Sequence, residues 1–228
     1  MKEILLKIEE IHRKVENFIE ARKRIFLTAS FQSSSVVLIH ILRDYLSEIS
    51  VFFIDTGFHF PETIAYLRKI ENLFKIEIGI LKSPVSKSEQ LSRNMHFLYA
   101  INPEKCCYYN KVLPIQKVIS NYDVWISGIR REQTTHRRSL KEFEETPEGV
   151  LRYHPLINWT KEMLIEYIKS NDLPMHPLDN GNLRSVGCMP CSYLYTSNDR
   201  EGRWFGTSRK ECGLHTYLIS SGQRDTNL

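Results

Sequence analysis

No stretch of this chain approaches the roughly 20 apolar residues needed to span a bilayer, and no part of it repeats or falls into low complexity. A membrane-spanning helix and a repeat architecture are both excluded by pattern. Charge of one sign is scarce: 31 Lys and Arg against 27 Asp and Glu leave a net +4. There is no basic stripe with interleaved aromatics, which counts against a nucleic-acid module. Glycine is absent from the loop Ser30, Phe31, Gln32, Ser33, Ser34, Ser35, so that loop is neither a Walker A loop nor a G-x-G-x-x-G turn. Disorder is excluded too, because 42% of residues are hydrophobic and only 25% are charged, ordinary values for a globular chain.

The first residues, Met1 to Arg24, alternate charge with Ile4, Leu5, Ile8, Ile11, Val15, Phe18 and Ile19. That is an amphipathic helix and not the apolar core of a secretory signal, so a cytoplasmic protein without a membrane partner is expected. In that compartment cysteines stay reduced, and five of them point to metal or catalytic use.

Strand, loop and helix then recur. Residues 25–29 read as a buried strand, Ser35 to about Leu46 as a helix, and Val51–Ile54 as a second strand ending in Asp55, Thr56, Gly57. Pro61 suits the first turn of a helix running to about Phe74, and Lys75–Leu81 alternates as a third strand. Lys105–Asn121 reads as one helix, Asp123–Ser127 as a strand, residues 129–150 as a long loop, and Asn158–Asn171 as a helix capped by Thr160. This order predicts an α/β fold, a mainly parallel sheet with flanking helices and an irregular C-terminal segment. We divide it into residues 1–195, an α/β domain, and residues 196–228, a mobile segment expected to swing over the site. In such sheets ligands bind at the carboxyl ends of the strands, which directs attention to the loops after the first and second strands.

Four of the five cysteines fall into two close pairs, Cys106–Cys107 and Cys188–Met189–Pro190–Cys191. Zinc draws paired ligands separated by about two to four residues, and adjacent cysteines reach one ion only through a cramped chelate. Neighbouring thiolates can each take a different iron of a cubane cluster, so the pairs favour one 4Fe–4S cluster over zinc. Cys212 remains. Arg200, Arg203, Arg209, Lys210 and His215 lie close to it in sequence, and nearby positive charge favours the thiolate nucleophile. Gly213 gives that segment freedom to move. The Ser30–Ser35 loop, between a strand and a helix start, suits a phosphate or sulfate. Gly128 to Ser139 carries Arg130, Arg131, Arg137 and Arg138, and Arg200 and Arg203 stand three apart; arginines hold such anions bidentately. Lys111, one helical turn after Cys107, is placed as a positive bridge between cluster and substrate.

Taken together these residues resemble the adenylylsulfate and phosphoadenylylsulfate reductases of sulfate assimilation. The resemblance rests on the Ser30–Ser35 loop, on Asp55-Thr56-Gly57 with Pro61-Glu62-Thr63, and on the Cys106–Cys107 pair with Lys111 and Pro114. It rests further on Gly128 with Arg130–Gln133, on Gly187-Cys188-x-Pro190-Cys191, and on Arg200–Trp204 followed by Lys210–His215. It implies an adenine nucleotide alpha hydrolase-like fold and reduction of adenosine 5′-phosphosulfate to sulfite and AMP. In that reaction Cys212 attacks sulfur and becomes an S-sulfocysteine, which thioredoxin or a similar dithiol protein then reduces. The resemblance puts Ser30, Gln32 and Gly128 on the nucleotide, and Lys111, Arg138, Arg200, Arg203 and His215 around the anion. The same reaction on the 3′-phosphorylated nucleotide is the nearest alternative, since Gln32, Ser33 and Ser34 depart from many adenylylsulfate reductases. An ATP-pyrophosphatase of tRNA thiolation is the alternative from another class. Association with copies of itself is left open.

Overall fold

The computed structural model describes residues 1–179, 185–193, 202–204, 211–214 and the backbone of His215. Helix α1 (Lys2–Glu20) leads into β1 (Ile25–Thr28), α2 (Ser33–Ile41), β2 (Ile49–Asp55), α3 (Pro61–Phe74) and β3 (Ile78–Lys82). Short helices α4 (Leu98–Ile101), α5 (Pro103–Cys107) and α6 (Leu113–Gln116) precede β4 (Val124–Ser127). Then come α7 (Thr135–Arg138), β5 (Phe143–Glu145), β6 (Leu151–Tyr153) and α8 (Lys161–Ser170).

The sheet runs β3-β2-β1-β4-β6-β5. Every pairing is parallel except that of β5 with β6 at the edge. The fold is the expected α/β sheet with flanking helices. The chain builds outward from β1 to β3 on one side and from β4 to β6 on the other, so the order reverses between β1 and β4. A crevice opens at such a reversal, beyond the carboxyl ends of the strands. Gly128 lies there directly after β4. A Cβ on it would stand 3.2 Å from the Ser34 carbonyl oxygen, so glycine lets the two loops meet.

Both sheet faces are covered, which is why β1 reads as an unbroken apolar run. Ile25 and Leu27 pack with α1, α2 and α8 in the larger core. Phe26, on the other face, stacks on Trp125 with ring centres 5.6 Å apart and 14° between planes, beside Val112, Ile115 and Leu214. Thr160 caps α8 as expected, its hydroxyl accepting from the Met163 amide at 3.2 Å.

Two expectations need correction. The single helix over 105–121 is broken: between α5 and α6 the stretch Tyr108–Val112 widens to a π turn, in which the Leu113 amide donates to the Tyr108 carbonyl. Pro114 has no N–H with which to continue an α-helical ladder, and the wider turn accommodates it. The loop over 129–150 contains α7 and the strand β5. That strand forms because Phe143 stacks on Tyr153 of β6 at 4.8 Å and 11°, a cross-strand aromatic pair that the acidic residues around it conceal. Residues 196–228 lie largely outside the described residues; those described, 202–204 and 211–215, sit at the site treated below.

Leu38 of α2 is fully buried, and its Cδ2 is 3.6 Å from the Cβ position of Gly128. Leu38→Ala is expected to cost about 3 kcal/mol in urea unfolding, with an unchanged m value. A loss under about 1 kcal/mol would mean that α2 is not packed on the sheet in this way.

Candidate active site

At the strand-order reversal lies a cleft with about 1030 Å³ of space unfilled by atoms. Its floor is the Ser30–Ser35 loop. Phe31 takes a left-handed backbone at φ 54°, uncommon for an aromatic residue, and its ring is buried against Phe53 with centres 5.7 Å apart. The anchored ring turns the chain sharply without a glycine. The Ser30 amide donates to Ser35 Oγ at 3.1 Å, and the two hydroxyls are 3.0 Å apart. Gln32 at the start of α2 makes no side-chain cap, so the first amides of that helix are available to an anion.

Cys212 stands on the cleft wall. Lys111 donates to its Sγ at 3.3 Å, and Leu214 beside it is buried in the second core. The Cys212 thiol is held well below the ordinary thiol range. A hydrogen bond from Cys107 acts most strongly, burial opposes it, and Lys111, the Leu214 amide and Arg203 reinforce it. Cys107 can donate only while protonated; with its sulfur on a metal, the stabilisation of the thiolate passes to Lys111, Leu214 and Arg203. Lys111 keeps its proton more tightly than usual: burial works against the charge, but Cys188, Cys212 and Cys107 outweigh it. His59, also on the wall, is neutral, its pKa pushed down to about 4 by burial although its Nε2 faces the Ile54 carbonyl at 3.0 Å.

The segment bearing Cys212 is fastened by its neighbour. Glu211 accepts two hydrogen bonds from Arg137, Nε to Oε2 at 2.9 Å and Nη2 to Oε1 at 2.8 Å, and a third from the Thr134 hydroxyl at 3.0 Å. Glu211 Oε1 also accepts from the Cys212 amide at 2.9 Å. Both side chains of the ion pair are about 95% buried, with 6% and 5% exposed. Arg203 is braced on the second cysteine loop. It donates from Nε to the Cys191 carbonyl (3.3 Å) and from Nη1 to Ser185 Oγ (3.1 Å), and its guanidinium lies over Trp204. A Cβ at Gly187 would overlap that guanidinium.

Cys106, Cys107, Cys188 and Cys191 line one hollow beside the cleft, together with Thr56 and Phe58. About 80 residues separate the two pairs, and the bridge between His59 and Cys188 and the Met189 amide, donating to Phe58 O at 2.7 Å, seat the second pair against the loop after β2. Thr56 Oγ1 is 3.3 Å from Cys188 Sγ. Burial, with Cys188 and Cys191 adding to it, pushes the Cys106 thiol up to about 11. Thiols that oppose each other's ionisation suit a cationic group that displaces their protons. Among the described residues no three His, Cys, Asp or Glu converge closely enough to hold a single metal ion. Four cysteines on one hollow are the donor set that a cubane cluster would take, one iron to each thiolate.

Ser30, Gln32, Lys111, Gly128, Arg203 and Cys212 all line the cleft. Arg138 does not: it is exposed, and Arg137, one position earlier on α7, lines the cleft instead. Arg200 and the His215 side chain lie outside the described residues. Sequence reasoning gave no role to Glu211, Thr134 or His59, and named Arg137 only as one of four arginines suited to an anion. Glu211 beside the leftover cysteine was the available signal, but its partner is 74 residues away.

A model of the phosphoadenosine phosphosulfate reductase domain matches residues 24–194. An adenosine 5′-phosphosulfate reductase of Oceanobacillus iheyensis is 36% identical over 197 residues, covering 84% of this chain and 82% of its own. A phosphoadenosine 5′-phosphosulfate reductase of Gloeobacter violaceus is 32% identical over 198 residues, covering 84% and 82%. A crystal structure of phosphoadenylyl-sulfate reductase from Candida auris shares the fold at a TM-score of 0.67 and 23% identity, covering 80% of this chain and 88% of that one. No described helix is long and apolar enough to cross a membrane.

Glu211→Gln keeps the shape and removes the charge that Arg137 grips. Hydrogen bonds to charged groups contribute about 1.5–3 kcal/mol, so hydrogen exchange at the Cys212 and Leu214 amides is expected to quicken roughly tenfold to a hundredfold. Exchange at the wild-type rate would show that the ion pair does not hold the segment.

Proposed function

This chain belongs to the phosphoadenosine phosphosulfate reductase family, and we propose that it reduces adenosine 5′-phosphosulfate to sulfite and AMP, with Cys212 as nucleophile, in the assimilation of sulfate. The observation that carries this reading is the Lys111 ammonium, 3.3 Å from Cys212 Sγ on the wall of a cleft floored by the serine loop.

The chemistry follows from that placement. The nucleotide lies at the strand-order reversal, with Ser30, Gln32 and the backbone at Gly128 on its phosphate and sugar side. Cys212 thiolate attacks the sulfur of the phosphosulfate. A bond forms between the two sulfurs, the sulfur–oxygen bond to phosphate breaks, and AMP departs with that electron pair. Two anions must approach each other, so fixed positive charge is needed to screen attack and stabilise the leaving phosphate. Lys111 and Arg203 supply it from the wall, and Arg200 and His215 are assigned to the same task. Arg137 lines the cleft where Arg138 does not, but its charge is met by Glu211 and is left out of this task. The enzyme is left with S-sulfocysteine at position 212. A thiolate of thioredoxin or a similar dithiol protein then attacks Cys212 Sγ, sulfite leaves, and the second thiol resolves the mixed disulfide. The dithiol loses two electrons and sulfate sulfur gains them.

One 4Fe–4S cluster is assigned to Cys106, Cys107, Cys188 and Cys191. It supplies structure and local charge and passes no electrons, because the dithiol provides both. The need for reduced thiols supports a cytoplasmic location. Adenosine 5′-phosphosulfate is preferred over the 3′-phosphorylated nucleotide because all four cluster cysteines are present.

Anaerobic protein incubated with each nucleotide in turn and weighed intact tests the reading. A sulfite-sized adduct is expected with adenosine 5′-phosphosulfate, absent in Cys212→Ser and lost on adding reduced thioredoxin. An adduct with the 3′-phosphorylated nucleotide alone would reverse the preference. No adduct with either, on protein holding a full complement of iron and sulfide, would overturn the proposal.

A further inference from the structure

Lys87, in the loop after β3, is half-buried, and its ammonium is held by neutral groups. It donates to the Thr56 carbonyl and to Asn110 Oδ1 at 2.7 Å, and it stands 3.9 Å from the centre of the Phe58 ring. None of the ion pairs among the described residues includes it. A charge removed from water in this way is costly unless an opposite charge faces it.

Its partners lead to the cysteines. Thr56 Oγ1 is 3.3 Å from Cys188 Sγ. Asn110 Nδ2 donates to the Cys106 carbonyl at 2.9 Å and reaches Cys106 Sγ at 3.6 Å. Gln90 fixes which way Asn110 points: it accepts from Asn110 Nδ2 at 2.6 Å and donates to Asn110 Oδ1 at 3.1 Å. Both amides are 1% exposed. The oxygen of Asn110 is thereby turned to Lys87 and its amino group to Cys106. The backbone also makes room for Lys87. Gly57 has φ 69°, and a Cβ there would lie 2.7 Å from Lys87 Cε. Burial weakens the hold of Lys87 on its proton, and the groups that oppose this most are Cys106 and Cys188, ahead of Asp55.

We propose that Lys87 is a positioning residue and counter-ion for the cysteine-bound cluster, acting through Thr56 on Cys188 and through Asn110 on Cys106. The proposal rests on the cluster reading. Thiolates around an iron–sulfide core leave net negative charge, and charge and hydrogen bonds at the sulfurs set the properties of such a core. Lys111 also faces these cysteines, but it is shared with Cys212. Lys87 has no contact with Cys212 and serves the cluster alone.

The test uses the full chain purified anaerobically, as wild type and as Lys87→Met, Lys87→Gln and Lys87→Arg. Iron and sulfide content, the rate of iron loss to a chelator, and the reduction potential of the cluster are measured. Lys87→Met and Lys87→Gln are expected to lose iron roughly tenfold faster or more, and their potential is expected to shift negative, since an added electron is stabilised less without the positive charge. Lys87→Arg is expected to stay near wild type. Should Lys87→Met fail to fold, Lys87→Gln carries the comparison. Uncharged variants with wild-type iron loss and potential would overturn the proposal and leave the cluster reading standing. Equal damage in Lys87→Arg and Lys87→Gln would also overturn it, because shape and not charge would then matter. Wild-type protein free of iron and sulfide would overturn both.

Discussion

The Lys111 ammonium stands between two sets of thiols, and the arrangement of the site follows from its position. On one side is Cys212, 3.3 Å away; on the other are Cys107 and Cys188, close enough to strengthen its hold on the proton. Lys111 does not lie on a regular α-helical turn. The π turn at Tyr108–Val112 carries it, and that turn sits directly after the Cys106–Cys107 pair and directly before the helix that packs Ile115 under Trp125. Pro114 forces the irregularity, the core fixes it in space, and the lysine inherits a fixed place. Cys212 and the hollow lined by the other four cysteines are thus coupled through a single charge.

The sheet supplies the rest of the frame. Parallel strands with the order reversed between β1 and β4 bring two loops together over one crevice, and Gly128 allows their close approach. The serine loop does without glycine by a different device, the buried Phe31 ring that holds a left-handed backbone in place. A loop with no Gly could therefore serve a nucleotide, although it matches neither glycine-rich motif. Lacking a fingerprint is not the same as lacking the geometry.

What could be read in the sequence follows from the range of the interactions involved. The strands β1 to β4, the Pro61 start of α3 and the Thr160 cap are local, and hydrophobic runs and turn residues mark them. The cysteine pairs were legible because two short spacings recur. Arg137 was not, because its meaning comes from Glu211, 74 positions on; in sequence it is one arginine among four. Arg138 stands one position from Arg137, which on a helix turns the side chain by about 100° and takes it from the cleft to solvent. Lys87 was invisible for a further reason: nothing near it in sequence is a cysteine, and Gly57, the residue that admits it, reads as an ordinary strand-end turn.

The distribution of charge in the cleft separates holding from binding. Arg137 lines the cleft but is already neutralised by Glu211, so its work is to dock the Cys212 segment and not to draw in an anion. Arg203 is different. Its described partners are a carbonyl, a hydroxyl and an aromatic face, none of which cancels its charge. The carbonyl belongs to Cys191, and the Trp204 amide donates to the same atom at 3.1 Å. A metal group that fixes Cys191 therefore fixes the oxygen on which the uncancelled arginine leans. Removing it would loosen Arg203 before it disturbed Cys212, whose docking depends on Glu211 and Arg137. A cluster on these cysteines would bear on the cleft without carrying electrons: it would hold one cation, Arg203, against the cleft through Cys191, and would share another, Lys111, with Cys212.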